Sequence, residues 1–429
     1  MKNSPLSLVG KSYEKINLFH RFVGRIVTVL VTLHGALFLK MYLNGMIKNM
    51  LAMYSGVAMW LALVLMSITS LKPIRRRAYS LFYWIHLLGY LTIFGVGMVH
   101  SPFLRPYIGS AISLHLISLF WQAQKVKFEN AILTALPGKY VMIEIVTLRS
   151  GWKAGQHVRI RFLGDLAHCF ESHPFTIASH VGTHLVLYAK VVGSFTRTLY
   201  ARAESTQNLG SVHVDFSGSP DVDKIHSQSS KDEEIGIRDK KELHNSGITE
   251  FTVKLSIQGP YGGMGSNSIR EFGNVFLCVG GSGISYLTST IFDLVTAKMN
   301  GKCSTKRIRA LYVLREWDVA QYFGQLLKDQ VERGTVCGIE LELIFCITQK
   351  DITIQGDETL PGIHIYWYRP NIEEVLNEFL SKVTEKSGIG CSVCGPSRMV
   401  SDLRKAVGCI SISEAKRVGG IVFNSAGSL

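Results

Sequence analysis

Four long stretches without a charged side chain dominate the first 124 residues, and they constrain this chain more than any other feature. Ile26–Leu39, Asn49–Leu71, Ala78–Leu104 and Pro106–Gln124 contain no Asp, Glu, Lys or Arg. A membrane-spanning helix needs about 20 apolar residues to cross a hydrocarbon layer roughly 30 Å thick. The second, third and fourth stretches meet that length directly. The first meets it if its helix begins near Phe19, with Arg21 and Arg25 reaching toward the interface. A mean hydropathy of +0.20 agrees with a chain that lies partly in lipid.

Charge follows the same division. Of the net +14, residues 1–127 carry +13, because Glu14 is their sole acid. The remaining 302 residues are close to neutral. A basic excess confined to the apolar third fits loops facing an anionic leaflet and argues against a nucleic-acid groove. The heavily basic segments are Lys72-Pro73-Ile74-Arg75-Arg76-Arg77 and the stretch ahead of the first span, with Lys2, Lys11, Lys15, Arg21 and Arg25. The positive-inside rule puts both in the cytosol. Spans one and three then cross in the same direction, and residues 125–429 are expected in the cytosol. All eight cysteines fall there, where thiols stay reduced. The first 19 residues lack the apolar core of a secretory signal.

Histidines supply the chemistry of the spans. His20 and His34 are 14 residues apart in span one, and His86 and His100 are 14 apart in span three. Fourteen helical residues turn through about 1400°, about 40° short of four turns, and rise about 21 Å. Each pair therefore shares a face, and its members lie near opposite membrane surfaces. On co-directional helices His20 is level with His86, and His34 with His100. This makes two stacked bis-histidine sites, each suited to a haem iron. Zinc would require tighter tetrahedral clusters. Gly35, Gly89 and Gly95 would let a macrocycle approach. His115, in span four, has no partner at this spacing.

Beyond Lys125 the pattern changes. Tyr140–Thr147, His157–Phe162, Leu185–Val192 and Phe251–Ile257 read as strands separated by turn residues, and predict a small antiparallel barrel. The polar stretch 217–247 reads as a disordered insertion in a barrel loop. After Gly273, strands alternate with helical segments: Asn274–Val279, Arg309–Leu314, Glu340–Cys346, His364–Tyr368 and Gly390–Cys394 are the strands. That alternation predicts a parallel, doubly wound α/β sheet. Gly280-Gly281-Ser282-Gly283 ends the first of these strands and opens a helix, which is where such folds hold a pyrophosphate. Cys394-Gly395-Pro396 ends a later strand, with a thiol able to face a nicotinamide ring. Cys391 and Cys394 form a lone C-x-x-C with no second pair to complete a zinc site.

In order along the chain, His173-Pro174-Phe175-Thr176-Ile177-Ala178-Ser179, Gly259-Pro260-Tyr261-Gly262, Gly280–Ile284 and Cys394-Gly395-Pro396-Ser397-Arg398-Met399 resemble the motifs of the fungal ferric/cupric reductases. This family is related to the NADPH oxidases. The stretch from Ser12 to Arg21 is similar to the segment before the family's first haem-binding helix. The resemblance spans nearly the whole chain. It implies a haem-binding transmembrane bundle (1–124), an FAD-binding β-barrel (125–262) and a ferredoxin-reductase-like NADPH domain (263–429). Family members usually carry two more membrane helices ahead of Ser12, so it also implies a shortened N-terminus.

By the same resemblance, His173, Pro174, Phe175, Thr176 and Ser179 line FAD, with Gly259 and Pro260 on the same domain. Lys190, Gly193 and Thr196 belong to the flavin-pyrophosphate loop. Gly280, Gly281, Ser282, Gly283 and Ile284 hold the NADPH pyrophosphate, and Cys394 and Gly395 flank the nicotinamide. Arg315 and Arg369 are candidates for a 2′-phosphate, whose geometry a guanidinium matches. Phe423 is the last aromatic and the candidate flavin cover. The implied activity carries electrons from cytosolic NADPH through FAD and two b-type haems to Fe(III) or Cu(II) across the membrane. Superoxide production from O2 is the alternative, and a non-catalytic paralogue is a third reading. The short links Tyr42–Lys48 and Ser101–Arg105 favour a metal-ion acceptor. The expected location is a multi-pass protein of the plasma membrane, with vacuolar or other endomembranes open.

Overall fold

The structure, a computed structural model, describes residues 13–46, 48–164, 171–180, 182–209, 252–263, 269–349, 360 and 362–425. The polar insertion at 217–247 lies outside the described residues. The chain divides into two compact units, one ending at Lys125 and one starting at Val126.

The first unit is helical: α1 (Tyr13–Leu43), α2 (Met50–Thr69), α3 (Lys72–Arg77), α4 (Tyr79–His100) and α5 (Arg105–Ala123). Four of these helices are long and apolar enough to cross a membrane. The start of α1 at Tyr13 gives the first span its full length. Asn49 caps α2 by accepting the Ala52 N–H at 3.1 Å, and Pro73 sits in the first turn of the short basic helix α3, where its missing N–H costs nothing. The apolar side chains of these helices point outward, as a lipid-facing bundle requires, while small and polar residues join the helices. Thr28 of α1 shares a 2.8 Å hydrogen bond with Ser67 of α2, and Trp60 Nε1 donates to Thr32 at 3.0 Å. Met66 lies over Gly89 of α4, and Met59 over Gly97.

These contacts fix direction. As α1 advances from residue 28 to 32, its neighbour on α2 recedes from 67 to 60. As α2 recedes from 66 to 59, its neighbour on α4 advances from 89 to 97. Helices α1 and α4 therefore run the same way, both antiparallel to α2. Gly89 is filled by Met66, so the expectation that it admits a macrocycle is corrected: this glycine serves helix packing.

In the second unit, β1 (Val126–Leu136), β2 (Tyr140–Ile145), β3 (Gln156–Phe162), β4 (His173–Thr176), β5 (Leu185–Lys190) and β6 (Thr252–Gly262) form an antiparallel sheet in the order β4-β3-β6-β1-β2-β5. A bridge between Ile177 and Leu187 brings its two edges together into a nearly closed barrel. Inward residues such as Val141, Ile143, Ile160, Leu187 and Ile257 fill it, alternating with outward ones as the two-residue period demands. Helix α6 (Ser194–Leu209) packs on the barrel through Phe195, Leu199 and Ala203.

The second sheet is wholly parallel, in the order β10 (Ile363–Tyr366), β9 (Glu340–Ile347), β8 (Arg307–Leu314), β7 (Asn274–Gly280), β11 (Ile389–Cys394), β12 (Ile421–Ser425). Helices α7 (Ile284–Met299) and α8 (Trp317–Val336) cover one face; α9 (Ile372–Ser381) and α10 (Ser397–Cys409) cover the other. The short α11 (Ile412–Arg417) leads into β12. Barrel residues Tyr140, Met142 and Tyr188 share the α7/α8 core, and Thr288 Oγ1 donates to the Ala178 carbonyl at 3.1 Å, so barrel and sheet are packed together. Arg309 is fully buried between β8, β9 and α9, paired with Glu342 at 2.6 Å and Glu378 at 3.1 Å and stacked on Phe379.

Candidate functional site

The nucleotide side of the second unit is built at the C-terminal ends of β7 and β11. These neighbours lie where the strand order turns back on itself, the position at which doubly wound sheets bind ligands. Gly281 has φ +54°, a left-handed conformation that favours glycine, and a Cβ on it would meet nothing within 4 Å. A Cβ on Gly283 would collide with the Cys394 carbonyl, so only glycine lets the two turns approach. Ser282 is exposed and Ile284 is buried as the first residue of α7. A Cβ on Gly280 or Gly395 would press on Met399, so the Gly280–Gly283 and Cys394–Met399 turns form one crevice.

Tyr312 of β8 braces this crevice from below. Its buried hydroxyl donates to the Gly281 carbonyl at 3.2 Å, and it is an electrostatic neighbour of the buried Tyr140 on the barrel. Burial pushes the Tyr140 hydroxyl up to about 12, so it stays protonated. Lys190 Nζ sits 5.2 Å from the Tyr140 ring centroid. Burial is the main cause that lowers its pKa; Glu316 acts against that shift and Arg315 with it. Sequence reasoning missed Tyr312, because a tyrosine inside an apolar strand reads as core until the loop above it is placed.

Cys394 is buried beside Gly283, and burial pushes its thiol up to about 11. It is therefore a neutral thiol near pH 7, able to fill space but not to act as a thiolate. Cys391 lies in the α9/α10 core and Cys394 in the α7/α8 core. Three residues apart on a strand, they point to opposite faces and cannot share a metal or a disulfide.

Arg369 lines a cleft of about 380 Å³ together with Val313, Asn371, Pro396, Arg398 and Lys405. Arg315 does not line this cleft; it is exposed after β8 and acts on Lys190. Of the two arginines expected from the sequence, Arg369 lines the cleft, together with Arg398 and Lys405. Arg398 was visible beside Cys394-Gly395-Pro396, but its fold neighbour Arg369 lies 29 positions earlier.

On the barrel, His173, Pro174, Phe175 and Thr176 form the half-buried edge strand β4, paired with β3. The His173 ring lies 4.2 Å from that of Phe195, and Phe175 stacks on the same ring at 6.2 Å. Thr196 Oγ1 accepts the N–H groups of Val192 and Gly193 at 3.0 and 3.2 Å and so shapes the loop that opens α6. A Cβ at Gly193 would meet nothing within 4 Å, leaving the loop open to a ligand. Ser179 is buried, and its Oγ accepts the Val186 N–H at 3.1 Å. Gly259 and Pro260 lie at the far end of β6, with Gly259 against Val158. Phe423 packs on the α9/α10 core, beneath Arg404 at 5.5 Å. It lies on the face of the sheet opposite to that of Cys394.

In the helical unit, Thr32 and Gly97 are level through α2, so His34 and His100 stand at matched depth, two and three residues further on. His20 and His86 are electrostatic neighbours at the other end. Among the described residues, α1 and α4 each pack on α2 far more extensively than on each other. His86 Nδ1 is buried with no hydrogen-bond partner among the described residues, and the backbones at Gly24, Gly35 and Gly95 face open space. Two imidazole pairs at two depths, beside helix surfaces that a Cβ would not crowd, fit two haems. His115 packs against Tyr90, with ring centroids 5.5 Å apart.

Comparison with known proteins adds the following. Residues 1–97 match the ferric reductase like transmembrane component, 125–264 an FAD-binding domain, and 272–408 the ferric reductase NAD binding domain. Ferric/cupric reductase transmembrane component 2 of Schizosaccharomyces pombe is 22% identical over 95% of this chain and 74% of its own length. A probable cell surface ferric reductase of Aspergillus oryzae is 25% identical over 75% of this chain and 41% of its own length. A ferredoxin NADP+ reductase from Neisseria gonorrhoeae, 11% identical, aligns over 71% of this chain and 99% of its own with a TM-score of 0.43.

Proposed function

Because the chain belongs to the ferric reductase family, we propose that it is a membrane oxidoreductase carrying electrons from cytosolic NADPH, through FAD and two b-type haems, to Fe(III) or Cu(II) on the opposite side. The observation that carries this reading is the pair of histidine columns, His20/His34 on α1 and His86/His100 on α4, on helices that run the same way. FAD supplies the exchange between a hydride pair and single electrons, and haem iron supplies one-electron carriage through the apolar layer.

The chain's own residues bind and position. The glycine turn at Gly280–Gly283, with the N-terminus of α7, favours a pyrophosphate, and Gly281 lets its backbone approach. Arg369, Arg398 and Lys405 rim the neighbouring cleft with positive charge suited to a 2′-phosphate. Cys394, as an un-ionised thiol, packs against the nicotinamide without taking a proton. His173, Phe175 and Thr176 line the flavin ring, and Lys190, Gly193 and Thr196 face its phosphates. His20 pairs with His86, and His34 with His100, to hold iron from two helices. No side chain needs to abstract a proton from carbon.

The names of the relatives favour a metal-ion acceptor, as do the short links between α1 and α2 and between α4 and α5. The test is NADPH-dependent reduction of a ferric chelate by the purified protein, with and without superoxide dismutase. Reduction unaffected by the dismutase is expected. Reduction abolished by it would make O2 the acceptor, and absence of NADPH oxidation would refute the catalytic reading.

A further inference from the structure

We propose that Ser55 is a positioning residue for His100: its hydroxyl holds the imidazole as the Nδ1–H tautomer, leaves Nε2 free to bind iron, and lowers the potential of the haem on that side. The inference rests on the two-haem reading above and adds a residue from α2, a helix that contributes no histidine.

The argument is one of hydrogen bookkeeping. A serine hydroxyl has one proton and two lone pairs. Ser55 Oγ donates to the Leu51 carbonyl at 2.6 Å, with the Ala52 carbonyl at 3.1 Å. The proton is committed to the helix backbone. Toward His100 Nδ1, 3.0 Å away, the same oxygen must accept. Nδ1 therefore carries the hydrogen, and the lone pair resides on Nε2. Ser55 is buried, so water does not compete for the contact. A Cβ on Gly56 would lie 3.0 Å from His100 Cε1, so the imidazole rests against bare backbone of α2 next to the serine.

Metal-binding histidines characteristically donate their second ring N–H to an acceptor, which fixes the tautomer and raises ligand basicity. His86, the other histidine of α4, has no such partner at Nδ1 among the described residues. The two ligands on one helix thus differ in the group behind the ring. The added basicity of His100 favours the ferric state and lowers the potential of its haem relative to the same site without the hydroxyl.

The experiment is a potentiometric titration of haem absorbance in the purified full chain, as wild type, Ser55→Ala and Ser55→Thr. Ser55→Ala is expected to raise one of the two midpoints and leave the other in place. Ser55→Thr, which keeps the hydroxyl, is expected to restore the wild-type value. Loss of one haem in Ser55→Ala with its return in Ser55→Thr supports the same assignment. Unmoved midpoints in Ser55→Ala, or an equal shift in Ser55→Thr, overturn it. A wild-type protein without haem absorbance would instead refute the two-haem reading itself, a separate result.

Discussion

Tyr312→Phe tests how the nucleotide turn is held. The hydroxyl it removes is fully buried and donates to the Gly281 carbonyl at 3.2 Å. Phenylalanine has nearly the same volume, so no appreciable cavity opens. A hydrogen bond of this kind contributes about 1 kcal/mol net, and a buried hydroxyl stripped of a partner costs about 1–3 kcal/mol. The half-exposed Gly281 carbonyl regains water once the bond is removed. The expected loss of stability is therefore about 1 kcal/mol. Because that bond preorganises the turn, NADPH affinity falls by up to about fivefold. The assays are thermal unfolding for stability and a nucleotide titration with flavin content held as the control. Lowered stability with NADPH affinity within about twofold of wild type would refute the claim that the hydroxyl shapes the turn.

Other outcomes follow from the same geometry. Arg369→Ala is expected to raise the KM for NADPH about tenfold and leave that for NADH unchanged, measured by steady-state oxidation of each; equal effects on both would place the 2′-phosphate elsewhere. Cys394→Ala slows flavin reduction in stopped flow while haem content stays constant. Because burial pushes the Cys394 thiol up to about 11, the wild-type rate shows no inflection near the free-thiol value of about 8.5, and an inflection there that vanishes in the variant would contradict the neutral thiol. Arg309→Ala leaves Glu342 without its buried partner and is expected to cost about 3–5 kcal/mol in the unfolding of the second unit. A loss below about 1 kcal/mol would show that the site relaxes or hydrates. On the acid side, Lys382 first and then Arg309 hold the Glu378 carboxyl below the usual range. The stability from that pairing is present above the ordinary glutamate value and is lost as pH falls through the lowered one.

The sequence displayed what repeats or alternates. The spans were legible because lipid tolerates no charge along some 20 residues, and the 14-residue histidine spacing because four helical turns return to one face. Asn274–Val279 and Glu340–Cys346 read as strands because both faces of a parallel sheet are buried and their runs are largely apolar. Strand β1 was hidden, since Lys127, Phe128 and Glu129 break its alternation at the exposed end and only Ala131–Leu136 shows a buried face. Strand β4 was hidden by Pro174, which is tolerated only because β4 is an edge. Helix α6 was missed because its residues are mostly polar, and its buried apolar stripe is Phe195, Leu199 and Ala203, flanked by Tyr200. The site was legible as motifs but not as partnerships. The bond from Tyr312 to Gly281 spans 31 positions and that from Ser55 to His100 spans 45, with no local signal for either. Phe423 drew attention by its place near the end of the chain; its pairing opposite Cys391, and so its packing against the α9/α10 core, had no local signal.

The central claim, two imidazole-held irons in series with one flavin, is tested most directly by a reduced-minus-oxidised absorbance spectrum of the purified chain with haem and flavin counted in the same sample. Two low-spin haems per flavin are predicted, falling to one when His34 and His100 are both replaced by alanine. A folded protein that holds flavin with no haem, or a His34→Ala/His100→Ala variant that keeps both, would contradict the account.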